Sequence, residues 1–189
     1  MDLIQELDGY LYDGVEAAEK KLHLQLSPHS KIYILDLLKR LARSDELLAP
    51  LADERPLATI MLEAMHKDIF GRIRDLKLIG DLSLVFSGLY PEHLTRRLVD
   101  VDYYISLGKR SYRLLSDTCR EYHSRRELAA LYFRLFSEFM CLTEILTEMA
   151  EEMHFVDDSD VEKASRRWQT TRIRKYLEIL SRHKVMPLH

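Results

Sequence analysis

At 189 residues, with 47% hydrophobic and 31% charged side chains, the chain has the length of one domain or at most two small ones and the composition of a folded globular protein. Leu occurs 33 times against 7 Val and 7 Thr, and Gly and Pro together supply 11 residues, which favours helices and excludes disordered, collagen-like and disulfide-stapled chains. Lys and Arg number 28 against 31 Asp and Glu, a net charge of −3, so no global basic field draws the molecule onto nucleic acid.

Helical periodicity recurs in nearly every segment without sustained alternation, which predicts an all-α, single-domain multi-helix bundle of six to seven helices over residues 1–189. The first helix spans 2–23, with Leu3, Leu7, Leu11, Val15, Ala18 and Leu22 on one stripe, and breaks at Leu26–Ser27. Ser27 followed by Pro28 is an N-cap with proline at the first helical position and opens a helix to about Arg43. A connector ends at Pro56, from which a helix runs through Leu57, Met61 and Met65, weakened or interrupted at Gly71 before Ile73 and Leu76. From Leu78 to Phe86 apolar residues point in every direction, the pattern of a helix buried on all sides. Between Pro91 and about Thr118 the positions Leu94, Leu98, Val101, Ile105, Gly108, Tyr112 and Leu115 form a coiled-coil-like seam in which the glycine allows close approach. Val99, Tyr103, Leu107 and Leu114 make a second face, so this helix is either central or lines an oligomer contact. Arg126 to Met153 reads as one bundle helix, and a capping box at Ser159–Glu162 opens a last helix through Trp168, Tyr176 and Leu180.

Two E-x-x-H sequences, Glu63–His66 and Glu151–His154, match the pattern of ferritin-like di-iron bundles, where a Glu and a His one turn apart share two metals with carboxylates of other helices. Periodicity turns them outward: Glu151 lies roughly 170° and His154 roughly 110° from the core direction of their helix, and Glu63 and His66 well over 100° from theirs. No metal, cofactor or catalytic residue is therefore assigned. Glu138 differs, lying within roughly 50° of the core direction between Leu135 and Leu142. A buried Glu there requires a cation, a metal or a proton, or reaches an Arg or a backbone donor at the core margin. Asp81 is a lone charge in an apolar surround and needs a partner. The next helix offers Arg96, Arg97, Asp100, Asp102, Tyr103 and Tyr104, and this region is the expected ligand-binding pocket if there is one.

Charge is also blocked along the chain. Glu144 to Glu162 holds 8 acidic residues and no Lys or Arg, whereas 163–184 holds 8 basic residues against Glu178, a net of +7. The basic helix either meets an acidic neighbour within the molecule, such as the 144–154 region or the first helix with Asp2, Glu6, Asp8, Asp13, Glu16 and Glu19, or binds an external anionic partner. Cys119 and Cys141 are isolated and read as reduced thiols. The acidic N-terminus lacks the features of a signal peptide, and the longest uncharged stretch, Leu82–Pro91, is too short to span a membrane, so the expected location is cytoplasmic. No phosphate-loop, dinucleotide, nucleophile-elbow or CxxC motif is present.

The run from Leu78-Ile79-Gly80-Asp81 to Leu89-Tyr90-Pro91, then Arg96-Arg97-Leu98-Val99-Asp100-Val101-Asp102-Tyr103-Tyr104 and Leu107-Gly108, resembles an uncharacterised family of bacterial all-helical proteins, from about residue 28 through Trp168 to Pro187. The resemblance implies a bacterial, intracellular setting and brings no activity, cofactor or catalytic residue. The expected function is a non-enzymatic interaction or regulatory module that self-associates as a homodimer, without nucleic acid. The alternatives are a di-metal carboxylate oxidoreductase and a binder of an anionic partner through the basic C-terminal helix.

Overall fold

A computed structural model describes residues 3–43, 56–90, 101–122 and 125–153. Among these residues the fold is all-α, with no strand and seven helices: α1 (Leu3–Leu22), α2 (Pro28–Arg43), α3 (Leu57–Ala64), α4 (Ile69–Leu89), α5 (Val101–Arg120), α6 (Arg126–Ser137) and α7 (Phe139–Met153). None of them is long and apolar enough to cross a membrane.

Local chemistry sets the helix ends. α1 stops at Leu22 because His23 turns into the left-handed region at φ 54°, and the Leu24 N–H reaches back to the Glu19 carbonyl at 3.0 Å. The helix thus ends one residue before the expected 23, and the break from His23 to Ser27 takes in the expected Leu26–Ser27. Ser27 caps α2 as predicted, its hydroxyl accepting from the Ser30 N–H at 3.3 Å, while Pro28 sits where no N–H is required. Asp68 caps α4, accepting from the Gly71 N–H at 3.2 Å. The interruption expected at Gly71 therefore falls at Met65–Asp68, where a carboxylate supplies the cap and Gly71 lies in the first turn.

α4 is the centre of the bundle. Every residue from Ile79 to Gly88 is buried, as the apolar residues around its whole circumference predict. α5 packs on it antiparallel, α7 lies along another side and α3 covers its start. The register is visible in three layers: the Tyr112 ring over Gly80, Ser83 against Gly108, and the Phe86 and Tyr104 rings 5.3 Å apart. A Cβ on Gly80 would lie 2.6 Å from the Tyr112 ring and one on Gly108 2.4 Å from the Phe139 ring, so both glycines are required by close approach.

α5 uses both of its apolar faces within this chain. Leu107 is 8% exposed, and Tyr103 and Leu114 pack partly buried against the same core, because α6 covers the side that α4 leaves free. The expected single helix over Arg126–Met153 is two helices meeting at Glu138. Hydrogen bonds from the Glu138 N–H to the Arg134 carbonyl at 2.8 Å and from the Leu142 N–H to the Glu138 carbonyl at 2.9 Å carry across, so the junction is a bend. Just before it the Ser137 hydroxyl donates back to the Phe133 carbonyl at 2.9 Å, a contact that opens and bends a helix. α1 packs on α7 and α2, and α2 reaches α6. The connector before Pro56, the first part of the 91–118 seam and the basic segment 163–184 with its capping box lie outside the described residues.

Candidate functional site

Four helices converge on Asp81, which is 1% exposed in the middle of α4. Its Oδ1 accepts from the Tyr33 hydroxyl at 2.5 Å and the Tyr112 hydroxyl at 2.8 Å, and its Oδ2 accepts from Lys77 Nζ at 2.6 Å and Arg40 Nη2 at 3.2 Å. Tyr33 and Arg40 stand seven residues apart on one face of α2, Lys77 is one turn before Asp81 on α4, and Tyr112 comes from α5. Tyr132 of α6 closes the cluster, its ring 6.3 Å from that of Tyr112 and 6.4 Å from that of Tyr33. Lys77 Nζ also lies 5.2 Å from the centre of the Tyr33 ring.

The electrostatics are those of a closed polar core. A carboxylate offers about four lone-pair directions, and all are filled. Arg40 and Lys77 reach the site from the rim, their side chains 37% and 30% exposed, and bring the charge that lets Asp81 stay inside. The three phenols hold their protons: burial, reinforced by the neighbouring phenols and by Asp81, pushes Tyr33 well above its ordinary value, burial and the nearby Asp81 do the same for Tyr112, and burial with Asp81 pushes Tyr132 up to about 12. A neutral phenol that donates to a saturated carboxylate is neither nucleophile nor base near neutral pH. The site can hold charge and orient helices.

This gives an alkaline prediction. Because the folded pKa values of Tyr33, Tyr112 and Tyr132 lie above the 10.0 of a free phenol, the stabilisation is complete below that pH and declines as pH rises through the folded values. In a titration followed by phenolate absorbance, these three tyrosines ionise late and together with loss of the circular-dichroism signal of folded helices. Their ionisation at the ordinary value in a still-folded chain would contradict the burial argument.

The register places the described members of the expected partner set, Asp102, Tyr103 and Tyr104, away from Asp81. Antiparallel packing sets Asp81 level with Tyr112, roughly 13 Å along α5 from Tyr103 at 1.5 Å per residue. Asp102 is exposed, and Tyr103 stacks edge-on against Tyr104 at 5.3 Å, so neither joins the cluster. Arg96, Arg97 and Asp100 lie outside the described residues. Nothing local in the sequence marks Tyr33, Arg40, Tyr112 and Tyr132 as site residues; the local signal is the i,i+4 spacing of Lys77 and Asp81.

Glu138 takes the backbone-donor alternative. Half-buried at the α6–α7 bend, it accepts from the Ser27 N–H at 3.3 Å and the Ser27 hydroxyl at 3.2 Å, and so ties the bend to the start of α2. The other buried acids are also held. Asp75 pairs with Lys67 at 2.5 Å and Arg74 at 3.2 Å, and Glu19 accepts from the Leu26 N–H at 2.8 Å and pairs with Lys31 at 2.6 Å. Glu63 and His66 are exposed, His154 lies outside the described residues, and among the described residues no three His, Cys, Asp or Glu converge as metal ligands.

Three acids of α1, Asp8, Glu16 and Glu19, are engaged by α2. Lys31 pairs with Glu16 at 2.6 Å and holds its carboxyl below the usual range, Lys39 pairs with Asp8 at 2.8 Å, and Lys21 of α1 pairs with Glu148 of α7. Cys119 and Cys141 are both free, and burial pushes the Cys119 thiol up. No known family model, curated protein or solved structure matches the chain.

Proposed function

We propose that this chain is a non-enzymatic helical interaction module of the cytoplasm, a rigid frame that presents surfaces to a macromolecular partner. The observation that carries the reading is the saturation of Asp81: both oxygens are filled by the protein's own donors, and the surrounding phenols are fixed in their neutral form. A reacting carboxylate needs a free lone pair or a mobile proton facing a substrate. Here the most buried charge among the described residues is spent on joining α2, α4 and α5. Two unpaired thiols, one of them inert by burial, suit a reducing compartment.

A specific observation favours the anionic-partner reading as a second possibility. Asp8, Glu16 and Glu19 of α1 are already paired with Lys39 and Lys31 of α2, which leaves fewer acids of the first helix for the +7 segment at 163–184. The test of the main reading is a native mass spectrum of the untagged protein as purified. Ions at the 22.3 kDa chain mass or its multiples, without stoichiometric addition, are expected. A bound metal or small molecule in one-to-one amount would overturn the reading.

A further inference from the structure

We infer that the surface shared by α5, α6 and the start of α4 binds single-stranded nucleic acid, with basic side chains on its phosphates and exposed rings against its nucleobases. This names a partner class for the chain and rests on its reading as an interaction module. The whole chain carries a charge of −3, yet from Lys109 to Arg134 the sequence holds seven Lys and Arg against three Asp and Glu, a local +4. The fold sets several of these cations on aromatic rings. Phe133 and Phe136 of α6 lie 5.9 Å apart, the Arg113 guanidinium is 5.4 Å from one ring centre and 5.6 Å from the other, and Lys109 Nζ is 5.8 Å from Phe136. At the other end of α6 the Arg125 guanidinium lies 5.0 Å from the centre of the Phe70 ring. Arg125 and Phe136 are about three helical turns apart, so the two ring–cation groups fall on one side of α6, separated by about 16 Å. Phe70 is 67%, Phe133 39% and Tyr122, in the turn between α5 and α6, 43% exposed. Arg113 also donates to Asp117 at 3.2 Å, and Arg120 pairs with the same carboxylate at 3.8 Å.

A guanidinium laid over a ring keeps its donors directed outward for a phosphate and its second flat face free for a nucleobase. A single strand offers the matching alternation: a negative charge on every phosphate and a flat π face on every nucleobase, which stacks on rings whatever its sequence. A duplex meets the cations equally well but turns only base edges outward in its grooves, so the rings gain nothing from it. An acidic polypeptide answers the cations and brings no regular series of flat faces to the rings. The alternation of exposed rings with cations along α6 therefore favours the single strand.

Fluorescence anisotropy of a labelled oligothymidylate titrated with the full chain reads this out. Binding at low salt that weakens as salt is raised is expected. Phe133→Ala weakens it by about tenfold or more without changing the salt dependence, because a stacked nucleobase adds affinity and releases no counterion. Lys109→Gln with Arg113→Gln lowers the slope of log affinity against log salt by about 1.4, the share of two phosphates at about 0.7 each. Both variants keep the circular-dichroism signal of the wild type, since Phe133 and Arg113 are exposed. Unlabelled oligothymidylate displaces the probe better than a duplex at the same nucleotide concentration. No binding at low salt would overturn the docking, as would a duplex that competes equally. Variants that bind like the wild type would place the strand elsewhere, on the 163–184 segment, and polyglutamate competing as well as the strand would make the partner an acidic polypeptide; either result overturns it. None of these outcomes alters the ligand-free mass expected of the purified chain, so the docking and the module reading fail separately.

Discussion

Asp81→Ala is expected to cost about 3 to 5 kcal/mol of folding stability, because removing one partner of a buried charged cluster strands the others. Tyr33 and Tyr112 lose the acceptor of their buried hydroxyls, and Arg40 and Lys77 lose the charge that draws them over the core. The two cations are at the rim and rehydrate, so most of the cost falls on the two phenols, at about 1 to 3 kcal/mol for each orphaned donor. Urea unfolding followed by circular dichroism measures it. A loss below about 1 kcal/mol, the range of an ordinary surface substitution, would mean that Asp81 fastens nothing.

Gly108→Ala is the second large effect, and Gly9→Ala is its control with the opposite sign. A Cβ on Gly108 would meet Phe139 ring atoms at 2.4 Å and 2.6 Å and Ser83 Cβ at 2.8 Å, and both neighbours are buried, so neither can swing away. Overpacking of this kind costs about 1 to 3 kcal/mol, more than the roughly 1 kcal/mol gained by replacing glycine in a helix. Around Gly9 there is nothing within 4 Å, and its φ is not positive. Alanine there is expected to stabilise α1 by about 0.5 to 1 kcal/mol. Thermal unfolding should move the two midpoints in opposite directions. Equal shifts would show that helix propensity, not the α4–α5–α7 contact, decides at Gly108.

What the sequence made legible is what local chemistry controls. The Ser27–Pro28 start of α2, the fully buried stretch of α4 and the close approach at Gly108 follow from capping, periodicity and side-chain size, and each is present. Asp81 is likewise visible, since a single charge among apolar neighbours is conspicuous. Its partners are not, because Tyr33 and Arg40 lie 48 and 41 residues away and look like a regular core position and a regular surface position of α2. The charged helix nearest in sequence suggests partners, but the antiparallel register sets Tyr112, not Asp102 or Tyr103, level with Asp81. The bend at Glu138 has neither Pro nor Gly to announce it, and the Ser27 donors that its carboxylate meets lie 111 residues earlier. Glu138 thus shows how a core-facing carboxylate suggests chemistry until the distant backbone donor it serves is known.

The central claim is that Asp81 acts as the fastener between α2, α4 and α5. A double-mutant cycle combining Asp81→Ala with Tyr33→Phe, read by urea unfolding, tests it most directly. If the hydroxyl stabilises the fold only through Asp81, Tyr33→Phe is costly in the wild-type background and nearly free in the variant, a coupling of about 1 to 3 kcal/mol. Additive losses would show that the two side chains act independently and that the cluster is not the lock of this bundle.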